Sequence, residues 1–198
     1  MPNYTDNLSK MEERNFDLKF TATPISGILL IEPKVFQDER GFFLESYQKK
    51  NFSEAGILFD FVQDNHSKSC QGVLRGLHYQ IQQPQGKLVR VVSGEIFDVA
   101  VDIRKNSPMF GKWFGAYLSA ENKKMLWVPV GFAHGFYVTT PEVEVLYKAT
   151  DYYAPEWERT IVWNDPTIGI QWPLQGGLPA LSPKDGAGKL LTEAELFE

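Results

Sequence analysis

The chain carries three histidines, His66, His78 and His134, in the contexts DNHSK, GLHYQ and FAHGF. An imidazole titrates near ~6.5, so His78 is suited to taking up and returning a proton at neutral pH. Such a base needs a carboxylate to fix its tautomer, a second group to carry a proton, and a cation or strong donor where negative charge develops. The acids available include Asp98, Asp102, Asp165 and Asp185. The proton donors include Tyr147, Tyr152 and Tyr153, and the cations Arg40, Arg75, Lys87 and Arg90. Spacing alone does not pair them. Each also has a plainer reading: His78 as a satisfied strand histidine, LYKATDYYAPEWE as aromatic packing, and GFAHGF as a turn with a surface histidine.

A metal would ask for about three converging His or carboxylate ligands, commonly with a His-x-His pair on one strand. No such pair occurs, which leaves His78, His134 and one acid as the metal alternative. Cys70 is the single cysteine, so neither an internal disulfide nor a thiolate zinc site is possible within one chain. It reads as inert.

The elements that must position these groups are strands. From Phe16 onward, short apolar-alternating runs are broken by Gly, Pro, Asn and Asp, the pattern of a β-sandwich or barrel. YQKKNFSEAG reads as a short helix ended by Gly56, and TEAELF as another. KLVRVVSGEIFDVAVDIR reads as two strands joined by a turn at SGE. On the second of them, Phe97, Val99, Val101 and Ile103 share one face, and Ile96, Asp98, Ala100 and Asp102 the other. Acids interleaved with Ile and Ala fit a polar-lined barrel interior better than a solvated face.

The chain has 198 residues, 43% hydrophobic and 23% charged, with a net charge of −5. One domain over residues 16–198 follows, preceded by a loose polar extension at residues 1–15. Mild acidity without a basic block argues against nucleic acid as a partner. The N-terminal sequence has no apolar core of a signal peptide, and no run reaches the ~18 apolar residues of a membrane span. The expected compartment is the cytoplasm.

Several motifs in order, DERGFFLESY, FVQDNHS, GVLRGLHYQ, PQGKLVRVVSGEIFDVAVDIR, PVGFAHGF, LYKATDYYAPEWE, DPTIGIQWP and LSPKD, closely resemble the dTDP-4-dehydrorhamnose 3,5-epimerase family from about Gly27 to Asp185. The resemblance implies an all-β, cupin-type jelly roll (a double-stranded β-helix barrel) with a few short helices, working as a homodimer without metal or other cofactor. It implies His78 as base, Asp185 as its orienting acid and Tyr147 as proton donor. Lys87 would lie beside the sugar keto oxygen, with Asp98 as its orienting partner. Arg40, Glu45, Gln63, Asn65, Arg75, His134, Glu158 and Lys184 match positions lining a nucleotide-sugar site, and Tyr153 matches an aromatic that stacks on thymine. Arg75 would anchor the diphosphate. The implied reaction inverts carbons 3 and 5 of dTDP-4-keto-6-deoxy-D-glucose. The alternatives are inversion at one centre, a GDP- or CDP-linked sugar, a metal-dependent cupin oxygenase, or a non-catalytic sugar-binding barrel. The chain departs from the pattern at Cys70 and Gln71 and in the tail GAGKLLTEAELFE.

Overall fold

The structure, a computed structural model, describes residues 18–198. The expected loose extension at residues 1–15 lies outside them. Among the described residues, thirteen strands are joined by turns rich in Gly, Asn and Pro. They are β1 Leu18–Ala22, β2 Leu29–Pro33, β3 Val35–Asp38, β4 Gly41–Leu44, β5 Gln63–Cys70, β6 Leu74–Gln80, β7 Lys87–Ser93, β8 Glu95–Asp102, β9 Trp113–Ser119, β10 Met125–Val128, β11 Phe132–Val138, β12 Glu142–Ala149 and β13 Glu158–Thr160. Two short helices, α1 Lys49–Glu54 and α2 Pro183–Gly186, complete the set with a 3₁₀ turn at Pro155–Trp157.

Two antiparallel sheets face each other. One has the order β1-β2-β10-β7-β12-β5 and the other β13-β6-β11-β8-β9, while β3 and β4 form a separate hairpin. This is the cupin-type jelly roll. The two strands of KLVRVVSGEIFDVAVDIR do not pair with each other: β7 joins the six-stranded sheet and β8 the five-stranded one. The SGE turn is therefore a corner between sheets. Gly94 makes it at φ 71°, where a Cβ would lie 2.1 Å from the Glu142 carbonyl oxygen.

Between the sheets, Val89, Val91, Leu126, Val143 and Val145 meet Ile96, Ala100, Leu118, Phe136 and Val138 in a dry core. Phe97, Val99, Val101 and Ile103 form the outer face of β8 as expected, buried under Ile161, Ile168 and Leu191 of the C-terminal segment. A third cluster places Phe52 of α1 against Leu88, Met125 and Trp127 on the outside of the six-stranded sheet.

The expectation for TEAELF is corrected, because that segment is not helical. A six-residue apolar-flanked stretch cannot nucleate a helix without tertiary support. Here the support favours extended chain: Phe197 bridges Arg104, and the Lys105 N–H donates to the Phe197 carbonyl.

Candidate active site

Arg75 and His78 are three residues apart, and regular alternation would send them to opposite faces. The β6–β11 register removes that conflict. His134 faces His78 and Phe136 faces Arg75, so two steps on β11 match three on β6. The extra residue is a β-bulge, and it turns both side chains into one cavity. Glycine makes the bulge possible. Gly76 has φ 129°, and a Cβ on it would fall 2.4 Å from the Gly135 Cα. The two bare backbones therefore approach where side chains would collide.

The cavity, about 330 Å³, lies between the sheets at the polar end of the core. His78 on β6 is part-buried, and its Nε2–H donates to Asp185 Oδ1 at 2.6 Å. Asp185 enters from α2, more than a hundred residues later. Its Oδ1 also accepts the Gly76 N–H at 3.1 Å, and its Oδ2 accepts the Ser182 hydroxyl at 2.5 Å. Burial would raise the Asp185 pKa, but the bonds from His78, Ser182 and Gly76 outweigh it and hold the carboxyl well below its usual range. Burial lowers the His78 pKa, against the pull of Asp185. The contact to the fixed carboxylate engages Nε2 and leaves Nδ1 as the other ring nitrogen. Ser182 and Asp185 form a capping box on α2, and the S-x-x-D pattern within LSPKD was its sequence signal.

The opposite wall comes from the other sheet. Tyr147 on β12 faces Val89 on β7 and Asn65 on β5, and all three line the cavity. Lys87 lies two residues before Val89, on the same face. Burial brings the Lys87 ammonium down to about 8, so it is still mostly charged at neutral pH. Burial and the nearby Glu158 charge raise the Tyr147 phenol, which stays protonated.

Asp98 does not orient Lys87. It bonds His134 instead, with His134 Nε2 and Asp98 Oδ1 2.8 Å apart. The reason is register: Phe136 pairs with Asp98 and His134 with Ala100 in the β11–β8 ladder, so Asp98 and His134 are diagonal neighbours on one sheet while Lys87 belongs to the other. Asp98 reaches Lys87 only as a minor electrostatic influence. Asp98 does face the barrel interior, as the alternation implied. Asp102 does not reach the cavity; it accepts bonds from Arg104 and Ser107 at the end of β8.

Arg40 and Glu45 are also displaced from the expected site. Arg40 sits on the β3–β4 hairpin, paired with Asp38, and Glu45 accepts bonds from Gln48 and Asn51. Neither lines this chain's cavity. Gln63, Asn65, Arg75, His134, Tyr153, Glu158 and Lys184 all do. Arg75 is steadied by Ser69 Oγ and the Lys68 carbonyl. At the rim, the Tyr153 hydroxyl donates to Glu158, which pairs with Lys184 at 2.8 Å. Burial would raise Glu158, but Lys184 holds it below its ordinary value. Gln80, Gln85 and Ser67 line the cavity as well and had no chemical signature in the sequence.

Among the described residues, no three His, Cys, Asp or Glu side chains converge as a metal site. His78 and His134 are each committed to a separate carboxylate. His66 lies on the outer face of the six-stranded sheet, bonded to Glu144. No helix among the described residues is long and apolar enough to cross a membrane.

Two facing sheets around a cavity of ionisable side chains define a cupin-type barrel with a polar ligand chamber. Comparison with known proteins narrows the class. The dTDP-4-dehydrorhamnose 3,5-epimerase family profile matches residues 22–193, and the chain belongs to that family. The dTDP-4-dehydrorhamnose 3,5-epimerase of Pseudomonas aeruginosa is 59% identical over 181 residues, covering 91% of this chain and 99% of the relative. The crystal structure of dTDP-6-deoxy-D-glucose-3,5-epimerase from Legionella pneumophila in complex with dTDP-4-keto-L-rhamnose superposes with a TM-score of 0.88. It is 56% identical, covering 90% of this chain and 95% of that one. A 3'-monoepimerase from Streptomyces bikiniensis in complex with dTDP-quinovose is more distant, at TM-score 0.80 and 32% identity over 86% of this chain and 88% of that one.

Proposed function

We propose that this chain is an isomerase that inverts carbons 3 and 5 of dTDP-4-keto-6-deoxy-D-glucose to give dTDP-4-keto-L-rhamnose. The observation that carries the mechanism is the placement of His78 and Tyr147 on opposite sheets, facing one cavity. Inversion at carbon needs a base on one face of the sugar ring and an acid on the other.

The protons on carbons 3 and 5 are both α to the 4-keto group. The free ring nitrogen of His78 takes one of them. The electron pair of the C–H bond moves into a C=C bond, and the carbonyl π pair moves onto oxygen, giving an enolate. Lys87 meets that oxyanion, whose charge appears only as the reaction proceeds, so its help is differential. Tyr147 then protonates the same carbon from the opposite face. The carbon leaves with its configuration inverted, His78 carries the abstracted proton and Tyr147 is a phenolate. Both are reset before the second centre reacts. Protons balance at each carbon with no net redox change, so the sequence closes without a cofactor. Asp185 holds the imidazole and stabilises its charged form, as the carboxylate does in hydrolase triads. Arg75 anchors the diphosphate, and Tyr153 stacks on the thymine.

The test is solvent exchange. Incubated with dTDP-4-keto-6-deoxyglucose in heavy water, the protein should introduce deuterium at both carbons, followed by mass spectrometry and proton NMR. Uptake at one carbon would instead identify a single-centre epimerase, as in the 3'-monoepimerase relative. No uptake above a protein-free control would overturn the reading.

The working form in this reading is a homodimer. The β3–β4 hairpin pairs with no further strand among the described residues and exposes Val35 and Phe42. Crossing to a second copy would cover those apolar groups and carry Arg40 and Glu45 to the partner's cavity. Co-expressing Arg40→Ala chains with His78→Ala chains then rebuilds one complete site in each mixed dimer and recovers activity that neither variant has alone; no recovery would mean that Arg40 does not act in the partner's cavity. A nucleotide-sugar substrate makes the cytoplasm the compartment this reading requires, which cell fractionation tests.

A further inference from the structure

The aromatic Tyr153 sits on a segment with an unusual way of satisfying its backbone. β12 ends at Ala149 and the 3₁₀ turn begins at Pro155, so residues 151–154 lie outside any strand, beyond the last backbone bond from the Thr150 N–H to the Gly86 carbonyl. Three glutamine side chains take the place of one. The Tyr153 N–H donates to Gln63 Oε1 at 2.8 Å, and the Ala154 N–H to Gln80 Oε1 at 3.0 Å. Gln80 Nε2 donates back to the Tyr152 carbonyl at 3.2 Å, and Gln85 Nε2 to the Asp151 carbonyl at 2.8 Å. Gln63 comes from β5 and Gln80 from β6, so the segment is held from both sheets. A side-chain amide offers the same donor and acceptor as a peptide group, which lets it complete a ladder the chain itself does not supply.

Gln80 is the centre of this arrangement. It is only 4% exposed. Its second N–H donates to the Gln83 carbonyl at 2.7 Å, so both donors and the acceptor are engaged within the protein. Burying an amide is unfavourable unless it is bonded in this way. Gln80 lines the cavity but has no N–H left to donate to a substrate. Its effect passes through the segment it holds. The Tyr153 ring remains about half exposed at the rim, with its hydroxyl tied to Glu158.

We propose that Gln80 is a positioning residue for nucleobase recognition: its buried amide presets residues 151–154 so that the Tyr153 ring stands ready to stack on the base. A segment fixed before binding loses less conformational freedom when the ligand arrives, and the gain appears as affinity. The proposal rests on Tyr153 being the stacking residue, and the test separates the two.

Dissociation constants for dTDP are measured calorimetrically for the native chain, Gln80→Met, Tyr153→Ala and the double variant. Met keeps the length of the side chain and removes its hydrogen bonds. Tyr153→Ala should weaken binding about tenfold, in line with the loss of one base–aromatic stack. Gln80→Met should weaken it about fivefold, and the double variant should bind no worse than Tyr153→Ala, because both changes act on one contact. Unchanged affinity in Tyr153→Ala would overturn the stacking assignment and the proposal with it. Weakened binding in Tyr153→Ala with unchanged binding in Gln80→Met would overturn the proposal alone. So would full additivity in the double variant, since Gln80 would then act independently of the ring. Should Gln80→Met fail to fold, Gln85→Met removes the Asp151 bond at the outer end of the segment, and the same non-additivity with Tyr153→Ala decides the matter.

Discussion

His78→Ala should abolish deuterium uptake at carbons 3 and 5 while leaving dTDP binding in place. Removing a general base typically costs about 10²–10⁴ in rate, and here the neighbouring groups offer no substitute. His134 is the other histidine in the cavity, but its ring is bonded to Asp98 on the same sheet. Asp185 keeps its bonds from Ser182 and Gly76 in the variant, and these hold it as a weak base. In the proposed reading the nucleotide half of the substrate meets Arg75, Lys184 and Tyr153, which line the cavity and which the substitution leaves in place. Catalysis and binding should therefore separate cleanly, with loss of exchange beside a dTDP affinity within about twofold of the native chain. Loss of both would place His78 in binding, and retention of exchange would remove it from the mechanism. The pH profile of the native chain carries the same assignment. His78 works unprotonated, so activity is lost as the pH falls through its pKa, which burial places below the ordinary 6.5. Lys87 works protonated, so activity is lost as the pH rises through about 8. A plateau between these limbs is expected in kcat/KM, and Lys87→Met should act slowly and without the alkaline limb.

The fold was legible because its signals are local. Alternating apolar runs, polar turns and a segment such as EIFDVAVDIR report strands buried on both faces through composition alone, and the faces of β8 fell as the alternation required. The residue types of the candidate site were legible, while the geometry that brings them to one cavity was not. His78 and Asp185 are joined only by folding, and nothing near either residue announces the other. The three-residue spacing of Arg75 and His78 looked inconsistent with a strand until the bulge at Gly76 put both on one side. The Asp98 partner was misassigned for a related reason. Pairing it with Lys87 ignores that β7 and β8, consecutive in sequence, part at Gly94 into different sheets. Arg40 and Glu45 illustrate a third limit, since they lie outside this chain's cavity and only the proposed dimer would bring them to one. Gln80 was missed because a glutamine inside a strand carries no signature of what it holds. Its role depends on the bare backbone of residues 151–154, which arrives from elsewhere in the chain.

Tyr147→Phe should separate proton removal from proton delivery. The substitution deletes one hydroxyl and leaves the ring packed against the core cluster that includes Val89, so the cavity keeps its shape. His78 and Lys87 remain, and the enolate can still form. What is lost is the donor on the opposite face. The enolate then returns to substrate by taking a proton back from His78, and solvent exchange at the imidazole loads that site with deuterium. The expected result is deuterium at the reacting carbons with retained configuration, while inversion falls by about a hundredfold or more. The ratio of exchange to inversion rises steeply, a signature that general damage to the site would not produce. Equal losses of exchange and inversion would mean that Tyr147 is needed to form the enolate, and undiminished inversion would mean that another group protonates that face. Burial and the Glu158 charge raise the Tyr147 phenol pKa, so the hydroxyl is protonated at working pH. The opposed shifts, His78 downward and Tyr147 upward, leave an acceptor and a donor on facing sheets at the same pH, the pairing that inversion at carbon requires.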